Sequence, residues 1–242
     1  MSRLIADAKL VSDSWLVSAS GRIPMPLVYN AAHLNRIADA LLPLRGTSYC
    51  SRFLTEFRSG NLNLLLRDRC RVKSLLWELE LSALLRMRSF DVSFVEPDIV
   101  TNFEDAKVGI ACKKLYSDKH IQNILSEAAE QVESDVDFGI VALNLDDLAP
   151  QNSVLEARTL REAEDAVTNA NNSFLARYDR HLRKYLASGR LLSALVSTAV
   201  VVQVPGEDIH VHNVRRCSIW AMRDLPAEKE QQLHEFYKRL ML

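Results

Sequence analysis

Two periodicities alternate along the chain, and the switch between them divides it into elements. Leu34, Ile37, Ala38 and Leu41 recur at helical spacing, which predicts a helix from about Ala31 that stops before Pro43. Residues 1–30, with Gly21, Pro24 and Pro26, read as ambiguous and loop-like ahead of it. The stretch VKSLLWELELSALLRM, Val72 to Met87, is apolar on most sides and predicts a buried helix. After Arg88 the period falls to two. DVSFV, IVTNF and KVGIACKKL read as three short adjacent strands. Alternation in the third puts Val108, Ile110 and Cys112 on one face, and Gly109, Ala111 and Lys113 on the other.

A clean amphipathic helix is predicted from Lys119 to Ser134, because Ile121, Ile124, Leu125, Ala128, Ala129 and Val132 form one apolar stripe. It must cover the sheet, with Gln131 and Glu133 at the margins of the stripe. FGIVALNL then reads as a strand buried on both faces, and strand, helix, strand in this order implies a right-handed crossover to a parallel neighbour. Ser153 and Glu156 read as a capping box that opens a long polar helix to about Leu186, broken by Gly189. LLSALVSTAVVVQV and CSIWAM predict further strands with a turn at Pro205 and Gly206. Leu233, Phe236, Tyr237 and Leu240 define a C-terminal helix.

Composition narrows the class. The chain has 242 residues, 48% apolar and 25% charged, which fits a folded globular protein and excludes a disordered one. Thirty basic and 31 acidic residues nearly cancel, so any attraction to a polyanion must be local. Residues 45–73 carry Arg45, Arg52, Arg58, Arg67, Arg69, Arg71 and Lys73 against only Glu56 and Asp68, whereas residues 120–157 carry no Lys or Arg at all. Cys50, Cys70, Cys112 and Cys217 form no CxxC pair, which points to a reducing compartment and a cytoplasmic location. Asp7 interrupts the apolar residues of the start, and no run of 18 apolar residues occurs, so neither secretion nor a membrane span is expected.

Carboxylates inside an apolar helix need an explanation, since burying one without a partner is costly. At about 100° per residue, Glu78 and Glu80 point about 200° apart and cannot serve one site. Glu78 shares its side with Ser74 and Ser82. Asp146-Asp147 at a strand end reads as a turn or helix cap. His210-x-His212 lacks the further ligands of a metal shell. GxSxG, HExxH and P-loop motifs are absent.

Four features occur in order: Glu78 in LLWELELSALL, Pro97-Asp98 in FVEPDIV, Ala111-Cys112-Lys113 in VGIACKKL, and Gln131 in the following helix. Together they resemble the PD-(D/E)xK nuclease superfamily over roughly residues 75–146. The resemblance implies an α/β fold with a restriction-endonuclease-like αβββαβ core, a mixed central sheet flanked by helices, and an N-terminal helical extension. Residues 1–71 would be that helical region and 72–242 the nuclease-like domain. It further implies a Mg²⁺- or Mn²⁺-dependent endonuclease, with Glu78, Asp98, Lys113 and Gln131 as the site residues.

These residue types suit that reaction. Attack of water on a phosphodiester needs a hard cation held by carboxylates from more than one element, which Glu78 and Asp98 would supply. Lys113 would position the water or stabilise developing negative charge, and Gln131, being neutral, could only orient. One departure stands out. Where the motif carries a second acid, two residues before the lysine, this chain has Ala111. The acid has migrated, with Glu78, Glu104 or Glu133 compensating, or the fold is a degenerate nuclease, or an acid was replaced. The expected partner is DNA, with RNA the alternative, contacted through phosphates without base reading. A two-fold homodimer or a partner protein is compatible with cutting both strands.

Overall fold

The period-two segments after Arg88 form an antiparallel meander, β1 (Asp91–Ser93), β2 (Ile99–Phe103) and β3 (Ala106–Lys114). The computed structural model of the chain describes residues 3–18, 24–59, 67–132, 135–149, 154–187, 191–205 and 211–241. Gly21, Glu133, Ser153, Gly189, Gly206 and His210 lie outside the described residues. Helix α5 (Ile121–Gln131) then returns the chain so that β4 (Phe138–Asn144) lies parallel to β3, as the strand–helix–strand pattern predicts.

β4 is buried along its whole length because both of its faces are covered. Phe138, Ile140 and Ala142 join a core with α4 (Arg71–Met87), while Val141 and Leu143 join a second core with α5. Trp77 of α4 donates its indole N–H to the Ala142 carbonyl at 3.0 Å, which fixes the helix against the sheet. At the other end, a Cβ on Gly139 would lie 2.1 Å from Val132 Cγ1. Only glycine lets the chain leaving α5 approach that closely.

The second half departs from the expected boundaries. Val154–Glu156 is a short strand, β5, not the first turn of a helix. The long helix α6 (Leu160–Leu186) opens six residues after the predicted cap: Thr159 Oγ1 accepts from the Glu162 N–H at 3.1 Å, and the Glu162 carboxylate accepts from the Arg158 N–H at 2.9 Å. The same S/T-x-x-E pattern therefore occurs twice, and the second copy forms the cap. β6 (Leu191–Gln203) lies parallel to β4 and to β5 along one edge, and its other edge carries β7 (Val211–Ala221) antiparallel. The resulting seven-stranded mixed sheet, flanked by helices, is an α/β architecture.

The N-terminal segment is helical earlier than its prolines indicate, with α1 at Arg3–Ser18 and α2 at Met25–Leu41. Pro26 falls in the first turn of α2, where a missing N–H costs nothing. After α3 (Ser48–Ser59), α4 begins one residue before the predicted start. Ile37, Ala40, Leu44, Phe53 and Phe57 from these helices share one apolar core with Leu76, Trp77 and Phe138, so the region ahead of residue 71 and the sheet are built around common side chains. The closing helix α7 (Ala227–Met241) buries Leu233, Phe236, Tyr237 and Leu240 in that core. Among the described residues, no helix is long and apolar enough to cross a membrane.

Candidate functional site

β2 and β3 part company after Ile99 and Ile110, leaving the last residues of β3 paired only with β4. Asp98 sits at this fork. The Cys112 N–H, which would otherwise face a missing strand, donates to Asp98 Oδ2 at 2.7 Å. Pro97 rests on Gly109, where a Cβ would meet Pro97 Cγ at 3.2 Å and Val136 Cγ1 at 3.0 Å, so the small residue at 109 is what lets this loop come down on the strand.

Glu78 approaches the same place from α4. Burial, reinforced by the negative charge of Asp98, pushes its carboxyl up to about 8, while Arg52, Arg71 and Lys113 pull it down. Burial also raises Asp98, to about 6, against the opposing effects of the Cys112 N–H and the Lys113 charge. The fold thus brings Glu78, Asp98 and Lys113 into one electrostatic neighbourhood from three separate elements. Cys112 is within electrostatic reach of all three. Its thiol is pushed well above its ordinary value, first by burial and then by both carboxylates, and belongs to the core as alternation implies.

Lys113 emerges on the opposite face of β3 from Cys112, and its ammonium is 3.9 Å from Glu127 of α5. That glutamate has no counterpart among the sequence candidates. Gln131 ends α5 one turn beyond Glu127, and its Oε1 is buried without a partner among the described residues. Ala111 is fully buried in the apolar core formed with Leu125, Ala128, Val141 and Leu143. Glu104 forms the turn between β2 and β3, at the far end of the meander from Lys113, which removes it as a substitute acid.

Glu78 and Asp98 offer carboxylate oxygens, the donor type that a hard cation takes. Among the described residues no group of three or more His, Cys, Asp and Glu side chains converges, which is what a structural zinc site needs. Magnesium keeps several waters and takes only one or two carboxylates together with substrate phosphates. Glu78 and Asp98 are two such acids in a partly dry site, both raised first by burial, and Glu78 also by the charge of Asp98.

A larger charged assembly went unnoticed in the sequence. Glu80, on the other side of α4 from Glu78, takes Arg36 of α2 at 2.8 Å and Arg215 of β7 at 2.6 Å. Asp146, just past β4, takes Arg36 at 2.6 Å and the Ala199 N–H at 2.7 Å. Burial would raise both carboxyls, but these cations hold them below the usual range. Asp147 is met by Arg67 at 2.7 Å, Lys73 at 3.3 Å and Lys114 at 3.8 Å. The pair Asp146-Asp147 is therefore the centre of an ion network rather than a simple cap. Its members lie in distant stretches of sequence, and the only local signal was Glu80 inside an apolar helix.

No protein-family model matches this chain, and comparison with curated proteins finds no similar sequence.

Proposed function

We propose that this chain is a metal-dependent phosphodiesterase of the restriction-endonuclease-like kind, acting on nucleic acid, and on DNA in the first instance. The observation that carries the reading is the hydrogen bond from the Cys112 amide to Asp98, which seats a carboxylate at the strand fork beside Lys113. The element order α4, β1, β2, β3, α5, β4 agrees with the αβββαβ core that the sequence resemblance implies.

Glu78 and Asp98 would hold Mg²⁺ or Mn²⁺, which supplies neutralisation of the phosphate and a more acidic attacking water. The chain's own residues do the rest. Lys113 offers a positive charge to the oxygens that become more negative as the phosphodiester is attacked. Arg52 and Arg71, both exposed and close enough to act on Glu78, line the approach and would contact phosphates without reading bases. Arg67 and Lys73 belong instead to the network around Asp147. Cys50, Cys70, Cys112 and Cys217 are free thiols, in keeping with a reducing, cytoplasmic setting.

A second reading is a nucleic-acid-binding or protein-assembly module that has lost catalysis. The burial of Ala111 in an apolar core favours it, because that wall offers no third carboxylate. A cleavage assay separates the two readings, using the unaltered chain, Ala111→Glu, Asp98→Asn and Lys113→Ala with Mg²⁺ or Mn²⁺ on DNA and on RNA. Cleavage by the unaltered chain that is lost in Asp98→Asn and Lys113→Ala supports hydrolysis. Cleavage only in Ala111→Glu supports a fold deprived of its acid. DNA retention with no cleavage in any variant supports the binding module.

A further inference from the structure

We propose that an extended peptide carrying a basic side chain docks along the free edge of β7, adding a strand to the sheet inside the cleft between α2 and α6. β7 pairs only with β6, and the direction of its free backbone groups follows from that neighbour. Ser197 gives its carbonyl to the Leu145 N–H, and the Ala199 N–H goes to Asp146. The odd-numbered residues of β6 therefore face β4 and the even-numbered ones face β7. In register, Thr198 meets Arg216 and Val200 meets Val214, and these pairs exchange the ladder hydrogen bonds. The N–H and C=O of Asn213, Arg215, Cys217 and Ile219 point out of the sheet, where among the described residues they have no partner. Proteins usually guard such an edge with lysine, proline or a bulge. Val211–Ala221 contains no lysine, proline or glycine, and its register with β6 is unbroken. Its two arginines are turned to internal partners, Arg215 to Glu80 and Ser197, Arg216 to Glu164.

The edge opens into a cleft of about 500 Å³, a volume in the usual range of ligand sites. Asn213 donates to the Ala32 carbonyl of α2, while Arg216 meets Glu164 of α6, so the two helices stand on opposite faces of β7. The cleft touches Asn35 and Asp39 of the first helix, Leu160 and Glu164 of the second, and β7 from Val211 to Arg215. A space that reaches both faces of the strand lies along its free edge. A segment pairing with Asn213 and Arg215 there would satisfy both N–H groups and both carbonyls. The walls select its side chains, which alternate between the two faces. Those turned to α6 meet the apolar Leu160 and Val214. Those turned to α2 meet Asn35 and Asp39. Asp39 is exposed and has no ion pair or hydrogen bond among the described residues, whereas Glu164 and Arg215 are already answered. A lysine or arginine of the peptide would supply its counter-charge. None of this uses Glu78 or Asp98, so the inference does not rest on the proposed hydrolysis.

The full chain is titrated into a fluorescein-labelled peptide, Thr-Val-Lys-Val-Thr, and binding is read by polarisation. Two control peptides are used, one with its backbone amides N-methylated and one with glutamate in place of lysine. Saturable binding of the lysine peptide is expected, weakened at least about tenfold, roughly 1.4 kcal/mol, by N-methylation, by the glutamate and by Asp39→Lys in the protein. Asp98→Asn should bind as the unaltered chain does. Asn213→Pro removes one of the free N–H groups and should weaken binding as well. Asp39 is exposed, so Asp39→Lys decides the matter if the proline variant fails to fold. No saturable binding, or binding equal for the N-methylated peptide, the glutamate peptide or Asp39→Lys, overturns the proposal. A chain that takes no peptide and sediments as a dimer, which Ile219→Lys dissociates, assigns the edge to a second copy and likewise overturns it.

Discussion

Glu78 and Glu80 stand two residues apart on one helix and serve opposite ends of the electrostatic scale. Glu80 is held ionised between Arg215 and Arg36, whereas Glu78 is driven toward its neutral form by burial and by Asp98. The rotation between successive helical residues makes this division possible.

That division predicts a pH dependence of stability in the metal-free protein. Glu78 rises from an ordinary 4.5 to about 8 on folding, and Asp98 from 3.8 to about 6. Between those values the folded state binds more protons than the unfolded state, so the contribution of both groups is present at about pH 4 and is lost as pH rises toward 8. Glu78→Gln removes the larger part. Urea denaturation in the presence of a chelator is expected to show this variant more stable than the unaltered chain at pH 8, by about 1–3 kcal/mol after allowance for partial solvation, and equal to it near pH 4.

Divalent cations should reverse that slope. A metal that takes both carboxylates must displace their protons, so its affinity is expected to increase from pH 6 to pH 8, with protons released on binding. Calorimetric titration of Mg²⁺ or Mn²⁺ in buffers of different ionisation enthalpy measures the release directly. Asp98→Asn should abolish it, and a proton release unchanged in that variant would place the metal elsewhere.

The ion network predicts a sharp contrast between two arginines. Removing Arg36 leaves Glu80 short of one partner and Asp146 short of its side-chain partner, both in a buried setting, and Arg36→Ala is expected to cost about 3–5 kcal/mol. Arg158 pairs with Glu162 on an open helix end, with 91% of its side chain exposed, and Arg158→Ala is expected to leave the urea midpoint unchanged.

Gly139→Ala tests the close approach of α5 to the sheet. The new methyl group would overlap Val132, so the helix end or β4 must move, at a cost of about 1–3 kcal/mol. Gly139→Ala combined with Val132→Ala should recover much of that loss, which a double-mutant cycle in denaturant would measure.

The elements whose residues alternate or repeat in register with their own geometry were legible from sequence. The meander, α5 and β4 fall into this class because one face of each must be apolar wherever its neighbours lie. Thr159 was missed because Ser153-x-x-Glu156 offers the same local signature six residues earlier, and β5 forms there through long-range pairing with Val201–Gln203. The start of α2 was missed because proline was read as a break, although the first turn accepts it. Of the residues gathered around the strand fork, Glu78, Asp98 and Lys113 could be singled out as candidates by residue type and order. Glu127 could not, because an exposed acid on an amphipathic helix looks like any solvated residue until the strand beneath it is placed.

Arg36 reaches from the helices ahead of residue 71 into the middle of the molecule, where it touches both Glu80 and Asp146. A shortened chain that began at residue 72 would leave those two acids without this counter-charge in an oily interior and would also strip Phe53 and Leu44 from the apolar surface they cover. The front of the chain is consequently a wall of the same room, and cutting it away would bring down the space in which any chemistry takes place.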